Sequence, residues 1–295
     1  MRRAFEDCHP IANLLFFAGV LTFSMSFLHP AALILTFAGA LGNAGLLKKR
    51  KNAKALLFLL PTLLLAAVLN PLFNHEGVTI LMYLPDGNPL TREAIFYGFA
   101  AAGMLGAVIL WFGSVNTVLT TEKLVYLFGR ILPGFSLLLS MTLRFVPRFR
   151  EQLSRNAQAM SCVGRDLRDG NLLTKAKRGI TLLSGLVTWA LESAVQTADS
   201  MKARGYGLPH RGSFSLYRFT KRDAVICAWL GICIAGVVLA WIQGGFAWRF
   251  YPKISQLEWK PATVWGIVSY AGLILTPTAL EGWEAGQWRI SQYRM

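Results

Sequence analysis

The chain carries one long stretch, residues 144–222, that is too highly charged to lie inside a lipid bilayer, although apolar segments flank it on both sides. The stretch holds fifteen Lys and Arg against five Asp and Glu, a net charge of +10. A polar turn, Asp166-Leu167-Arg168-Asp169-Gly170-Asn171, divides it into two segments with helical periodicity. The sequence therefore predicts two amphipathic helices joined by a turn, placed between two groups of apolar helices.

The second of these helices has the clearer pattern. Its apolar residues recur at the spacing of one helical face, and the opposite face is polar. They are Val187, Ala190, Leu191, Ala194, Val195, Ala198 and Met201. We expect the helix to end at Ala203-Arg204-Gly205, because a cation in the last turn, a glycine just beyond it and a proline soon after are typical C-terminal signals. Arg204 is thus predicted at a helix tip, where its guanidinium can reach a second molecule.

Composition indicates a membrane protein. Of the 295 residues, 54% are hydrophobic and only 15% are charged, which is too apolar for an ordinary soluble domain. The net charge of +15 in such a chain indicates cytoplasmic loops, because Lys and Arg accumulate on that side of a bilayer. Nucleic acid is not an expected partner, since the basic residues are not interleaved with aromatic residues that could stack on bases.

The sequence lacks the motifs of several enzyme classes. It has no Gly-rich phosphate loop for ATP, no nucleophile elbow and no zinc-protease motif. The four cysteines and four histidines show no metal-ligand spacing. We therefore expect no catalytic residue, no metal site and no cofactor bound directly by this chain.

The apolar segments predict five to six transmembrane helices. Residues 11–47, broken by His29-Pro30, predict a hairpin of two spans whose bend lies outside. The cationic segment 48–54 is expected in the cytoplasm. Further spans are predicted at residues 55–72, 94–115, 224–241 and 263–280. Residues 117–143 contain charges and a Pro133-Gly134 break, and they predict two shorter helices on the cytoplasmic side.

The predicted fold class is accordingly an all-α integral membrane protein with a cytoplasmic module of long amphipathic helices. We divide the chain into N-terminal transmembrane helices (1–116), the cytoplasmic module (117–222) and C-terminal transmembrane helices (223–295). Such a module is suited to docking another protein, and an energy-supplying subunit is one candidate.

Several short motifs of the basic region resemble a known family. Leu143-Arg144-Phe145-Val146-Pro147 resembles the opening of the coupling helices in the transmembrane T component of energy-coupling factor (ECF) transporters, the CbiQ-like family. Asp166 and Gly170-Asn171-Leu172 resemble the turn between that family's two long helices. Ala198-Asp199, Met201 and Ala203-Arg204-Gly205-Tyr206 resemble its second Ala-Arg-Gly signature. Residue by residue the resemblance is strong from Leu143 to Gly207, and in layout it covers the whole chain.

The resemblance implies that two ABC ATPase subunits bind the coupling helices, and that these partners bind the ATP. Ala203, Arg204 and Gly205 would dock into a groove on one ATPase. A separate small membrane protein, the S component, would bind the vitamin, other micronutrient or metal ion that is taken up. The remaining motif residues would serve the structure of the coupling helices; they are Arg144, Pro147, Asp166, Asp199 and Met201.

The family's first Ala-Arg-Gly motif is altered in this chain. The matching positions read Cys162-Val163-Gly164, and Arg165 follows one residue later. Either Arg165 takes the docking role in a shifted register, or this contact is lost. For Arg204, the alternative role is a C-cap cation that only complements the helix dipole.

Two other classes of function stay open. A membrane-embedded enzyme acting on lipid-linked substrates would need a polar cluster near the interface, and none converges in the sequence. A self-sufficient permease or scaffold would bind or carry substrate alone. In each case we expect the chain in the bilayer of the bacterial or archaeal cell membrane, with the basic module in the cytoplasm.

Overall fold

The computed structural model describes residues 5–47, 52–83, 88–131, 133–166, 169–206, 217–256 and 258–293. The elements in chain order are α1 (Pro10–Ser26), α2 (Pro30–Leu47), α3 (Asn52–Phe73), β1 (Ile80–Tyr83), β2 (Pro89–Thr91), α4 (Arg92–Val118), α5 (Thr121–Ile131), α6 (Pro133–Cys162), α7 (Leu172–Ala203), α8 (Lys221–Ile242) and α9 (Pro261–Tyr293). They form two compact units. We call residues 1–123 with 217–295 the bundle unit. Residues 124–216 hold most of α5 together with α6 and α7, and we call them the two-helix unit after the two long helices α6 and α7. The predicted division of the chain at residues 116 and 222 stays a prediction.

Aromatic side chains of α1 and α4 fill the centre of the bundle unit. Phe16 and Phe17 meet Trp111 edge to face, with ring centroids 5.8 and 6.5 Å apart. Tyr270 of α9 is fully buried, and its hydroxyl oxygen lies 2.7 Å from Oγ1 of Thr36 in α2. Because buried hydroxyl groups need hydrogen-bond partners, this contact fixes α9 against α2 within the apolar core.

Small residues bring α4 close to α3, because a glycine lets the two backbones approach. A Cβ atom at Gly98 would lie 2.6 Å from the carbonyl oxygen of Ala67, and Gly106 is crowded by a leucine of α3. By contrast, a Cβ atom at Gly103 or Gly113 would meet nothing within 4 Å. The close approach of α4 to α3 therefore depends on Gly98 and Gly106 and not on Gly103 or Gly113.

Six apolar helices of the bundle unit correspond in position to the six predicted spans. Within the part of the chain that the structure describes, three are long and apolar enough to cross a membrane: Arg92–Val118, Lys221–Ile242 and the Pro261–Glu284 part of α9. Three shorter apolar helices accompany them: Pro10–Ser26, Pro30–Gly45 and Leu59–Phe73. The fold class predicted from the sequence, an all-α membrane protein, is confirmed.

Two helices differ from the prediction in extent. The last span was predicted to end at residue 280, whereas α9 continues to Tyr293, because hydropathy marks only the apolar part of a helix. Residues 117–143 do not hold two short helices: α5 is the first, but the second is the beginning of the long helix α6. Proline is tolerated in the first turn, so Pro133 begins α6, and the helix runs on through Pro147.

The polar connection between α3 and α4 contains a two-stranded hairpin that the sequence analysis did not predict. β1 and β2 pair antiparallel, with Ile80 opposite Thr91. The apolar run at residues 78–83 was the available signal for a strand. Thr91 caps α4, since its Oγ1 accepts a hydrogen bond from the backbone N–H of Ala94 at 3.3 Å.

Candidate docking site at two helix ends

Helices α6 and α7 pack along one narrow seam. Phe149 of α6 meets Trp189 of α7 edge to face at 5.7 Å between ring centroids, and Phe145 stacks on Phe149 at 5.9 Å. Leu182 is the buried residue of α7. Aromatic pairs of this kind add stabilisation beyond the area they bury. The seam therefore holds the two long helices together through a few large side chains.

The turn between the two helices is fixed by an arginine that the sequence analysis did not single out. Nη1 of Arg178 donates hydrogen bonds to the carbonyl oxygen of Asp166 and, at 2.8 Å, to that of Asp169. The side chain of Asn171 caps the start of α7 by accepting a hydrogen bond from the N–H of Leu172 at 2.9 Å. Asp166 thus lies in the turn, as predicted, and contributes its backbone carbonyl to this arrangement.

Helix α7 ends in a Schellman motif. The N–H of Gly205 donates to the carbonyl oxygen of Lys202 at 2.9 Å, and the N–H of Tyr206 donates to that of Met201 at 3.0 Å. Gly205 has a φ of +75°, the left-handed conformation that this motif requires. The predicted end of the helix is confirmed.

Helix α6 ends in the same motif. The N–H of Gly164 donates to the carbonyl oxygen of Ser161 at 3.0 Å, and the N–H of Arg165 donates to that of Met160 at 2.9 Å. Gly164 also has a φ of +75°. The altered sequence Cys162-Val163-Gly164 therefore keeps the backbone of the intact signature.

The matching hydrogen bonds align the two ends residue by residue. Gly164 corresponds to Gly205, so Val163 occupies the position of Arg204 and Arg165 that of Tyr206. Arg165 therefore does not stand where Arg204 stands, because the left-handed glycine lies between Val163 and Arg165.

The residues at both tips are open to solvent. Val163 is 75% exposed, and Cys162 beside it is an exposed free cysteine. Ala203 and Arg204 are also exposed, and Arg204 forms no ion pair with any residue that the structure describes. The backbone N–H of Arg204 donates to the carbonyl oxygens of Ser200 and Met201, both at 3.2 Å. The helix end is thus closed by backbone bonds, and the guanidinium is available to a second molecule.

The remaining motif residues lie along the two helices. Arg144 and Pro147 are exposed on α6, Asp199 is exposed on α7, and Met201 is half-buried one turn before the tip. Their assignment to the structure of the coupling helices stays a prediction.

The apolar stripe predicted on α7 does not form the seam with α6. Val187, Leu191 and Val195 are more than half exposed. Ile180 and Leu183 extend this exposed face toward the start of the helix. We call these five residues the α7 apolar face. A contiguous apolar surface of this kind marks an interaction site.

Comparison with known proteins identifies one family. The family model described as cobalt transport protein, CbiQ, matches residues 7–214. The chain is similar to the energy-coupling factor transporter transmembrane protein EcfT of Bacillus selenitireducens, with 29% identity in an alignment of 229 positions that covers 72% of this chain and 84% of the relative. It is also similar to the EcfT protein of Clostridium kluyveri, with 30% identity in an alignment of 193 positions that covers 60% of this chain and 70% of the relative.

Proposed function

Since the chain belongs to the CbiQ family and is the transmembrane component of an energy-coupling factor transporter, we propose that it transmits the motion of two ABC ATPase subunits to a substrate-binding S component. The ATPase subunits bind and hydrolyse the ATP, and the S component binds the vitamin, other micronutrient or metal ion. The chain itself has a mechanical role and catalyses no reaction.

The observation that carries this proposal is the pair of solvent-exposed helix ends with one shared backbone geometry. A guanidinium held at such an end can form bidentate, charge-assisted hydrogen bonds with carboxylate or carbonyl groups of a partner. Two ends of the same shape suit a partner made of two related subunits. An ATPase pair that closes on ATP is such a partner.

The two helices have the length that a mechanical role needs. α6 has 30 residues and α7 has 32, so each extends roughly 45–48 Å at 1.5 Å per residue. Because packed helices move as rigid bodies, a displacement at the tips is carried along the whole pair. The α7 apolar face offers a membrane protein such as the S component a surface on which to move.

The charge of the two-helix unit supports a cytoplasmic location for it. Residues 124–216 hold thirteen Lys and Arg against five Asp and Glu, a net charge of +8, and Lys and Arg accumulate on the cytoplasmic side of a membrane. ATP is available on that side, so the location and the proposed partners agree.

Affinity purification of the tagged full-length chain from its native membrane in mild detergent tests the proposal. We expect mass spectrometry to find ATPase chains and a small membrane protein with it. Arg204→Ala should remove most of the ATPase, whereas the matched control Lys202→Ala, which removes a neighbouring exposed cation, should retain it. A chain that is purified alone, or an Arg204→Ala variant with an intact and active complex, would contradict the proposal.

A further inference from the structure

We infer that a cleft in the bundle unit binds a phosphoethanolamine group, which is the headgroup of a common membrane lipid. The cleft has a volume of about 380 Å³ and lies between the bend that joins α1 to α2 and the connection from α8 to α9. Four of its lining residues carry the argument: His29, Trp248, Glu258 and Lys260. The inference involves none of the partners proposed above, so it goes beyond the proposed function and can fail independently of it.

Two polar atoms in the lining of the cleft are buried without a hydrogen bond. They are Nδ1 of His29 and Nε1 of Trp248, and neither has a partner among the residues that the structure describes. His29 is only 3% exposed, and its ring meets that of Trp248 edge to face at 5.4 Å between centroids. Because a buried polar group without a partner is costly, two such atoms in neighbouring rings indicate that a ligand supplies the missing hydrogen bonds.

The two atoms require different partners. The indole N–H of Trp248 can only donate, so it needs an acceptor. Burial lowers the pKa of His29, which lies in the bend outside the spans, so its imidazole is neutral near pH 7. In the tautomer protonated at Nε2, the Nδ1 atom accepts a hydrogen bond. A ligand that satisfies both rings therefore carries an acceptor and a donor close together.

The rim of the cleft carries one charge of each sign. Nζ of Lys260 lies 3.1 Å from Oε2 of Glu258, and their side chains are 63% and 66% exposed. An ion pair in water contributes little, so each partner can turn to an opposite charge on a ligand. A phosphate accepts hydrogen bonds from Trp248 and Lys260, and an ammonium two carbon atoms away donates to His29 and Glu258. A phosphoethanolamine group has both charges at this spacing.

The cleft lies at the outer end of the bundle unit. Its residues follow the C-terminal ends of α1 and α8. The opposite ends of these two helices are joined by a hydrogen bond of 2.9 Å from the backbone N–H of His9 to Oδ1 of Asp223. Since the sequence predicts the bend at His29-Pro30 on the outer side, the cleft faces that side of the membrane.

Exposed tryptophans place this end at the level of the lipid headgroups. Trp241 ends the apolar part of α8, Trp259 precedes α9, and Trp265 lies in the first turns of α9. They are 50%, 60% and 63% exposed. Because tryptophan is enriched where a bilayer meets water, a lipid headgroup is within reach of the cleft.

The connection from α8 to α9 is cationic, although it lies on the outer side. Residues 243–260 hold three Lys and Arg and a single acidic residue, Glu258. Lys and Arg are otherwise concentrated in the cytoplasmic segments of a membrane protein. A bound phosphate accounts for an excess of cations at this place.

Lipid retention by the full-length chain tests the inference. The chain is reconstituted in nanodiscs that contain equal parts of phosphatidylethanolamine, phosphatidylcholine and phosphatidylglycerol with the same acyl chains. Native mass spectrometry of the released chain then measures the lipid that stays bound. We expect phosphatidylethanolamine to be enriched about tenfold over each of the others, the range for losing one hydrogen bond to a charged group. Equal retention of the three lipids would overturn the inference.

The reasons for the two preferences are different. Phosphatidylcholine has no N–H that could donate to Nδ1 of His29, and phosphatidylglycerol has no ammonium for Glu258. Glu258→Gln should therefore lower the preference over phosphatidylglycerol about tenfold. The same preference in Glu258→Gln as in the native chain would overturn the assignment of the ammonium to this end of the cleft.

A conservative pair of variants tests the cleft itself. Trp248→Phe keeps an aromatic ring and removes the indole N–H, and it should lower retention of phosphatidylethanolamine about tenfold. Trp265→Phe is the matched control, because Trp265 is exposed on α9 and lies outside the cleft lining. Equal retention by the two variants would show that the lipid binds elsewhere, and would overturn the site.

Soluble glycerophosphoethanolamine distinguishes a lipid from a free ester. It is added to the chain in nanodiscs of phosphatidylcholine alone. No binding of the soluble ester, together with selective retention of phosphatidylethanolamine, supports a lipid as the ligand. Binding of the soluble ester that Trp248→Phe weakens supports the headgroup chemistry and overturns the lipid as its carrier. None of these measurements requires an ATPase or an S component.

Discussion

Arg178 fixes the turn between the two long helices, and its removal should loosen that turn selectively. Its Nη1 donates to the carbonyl oxygens of Asp166 and Asp169. Hydrogen bonds from a charged donor contribute about 1.5–3 kcal/mol each. Arg178 is only half-buried, and competition from water lowers its contribution. For Arg178→Met, which keeps much of the aliphatic length, we expect a total loss of about 2 kcal/mol from the local free energy of opening.

Hydrogen exchange on the full-length chain in detergent measures this loss. A change of about 2 kcal/mol corresponds to roughly thirtyfold faster exchange of the amides around residues 164–175. Lys177→Met is the matched control, because it removes an exposed neighbouring cation whose side chain makes no hydrogen bond to the described residues of the turn. In the assembled transporter, Arg178→Met should lower substrate uptake more than ATP hydrolysis. Equal exchange in both variants would refute the role given to Arg178.

Two further predictions concern packing in each unit. Gly39→Ala should lower the free energy of unfolding of the bundle unit by about 1–3 kcal/mol, which is measured as a lower melting temperature. The reason is that its Cβ would overlap Cγ2 of Ile274. The control Gly42→Ala, whose Cβ meets nothing within 4 Å, should not destabilise the unit. In the two-helix unit, a double-mutant cycle of Phe149→Leu and Trp189→Leu should give a coupling free energy of about 0.5–1.5 kcal/mol, measured by chemical denaturation. Equal stability of the Gly39→Ala and Gly42→Ala variants would contradict the first prediction. A coupling free energy near zero between Phe149 and Trp189 would contradict the second.

Local signals predicted much of the fold and part of the site. His29-Pro30 marked the bend between α1 and α2, because helix breaks are decided within a few residues. The glycine beyond Arg204 likewise marked the end of α7. The position of Arg165 at the altered end of α6 could be decided only from the hydrogen bonds, since the sequence alone left open whether Arg165 takes the docking role in a shifted register or the contact is lost.

Features that depend on distant contacts could not be predicted from local pattern. Arg178 is six residues into α7, and only the folded turn brings it to the carbonyl oxygens of Asp166 and Asp169. The hairpin of β1 and β2 depends on pairing across the connection, and short strands have weak periodic signals. The extension of α9 lies beyond its apolar segment, where neither hydropathy nor a proline marks a boundary.

The two-helix unit leaves most of its apolar side chains exposed, and this affects how rigidly α6 and α7 can transmit motion. Leu182 is the only buried apolar residue among the side chains of this unit that the structure describes, while Leu172 and Leu173 are 83% and 82% exposed. Apolar burial is the dominant favourable term in folding, and one narrow seam between two helices contributes little of it. Partners that cover the tips and the α7 apolar face add apolar burial, and binding stabilises the state that is bound. In the proposed complex the lever therefore becomes stiff through assembly, so docking and force transmission depend on the same contacts.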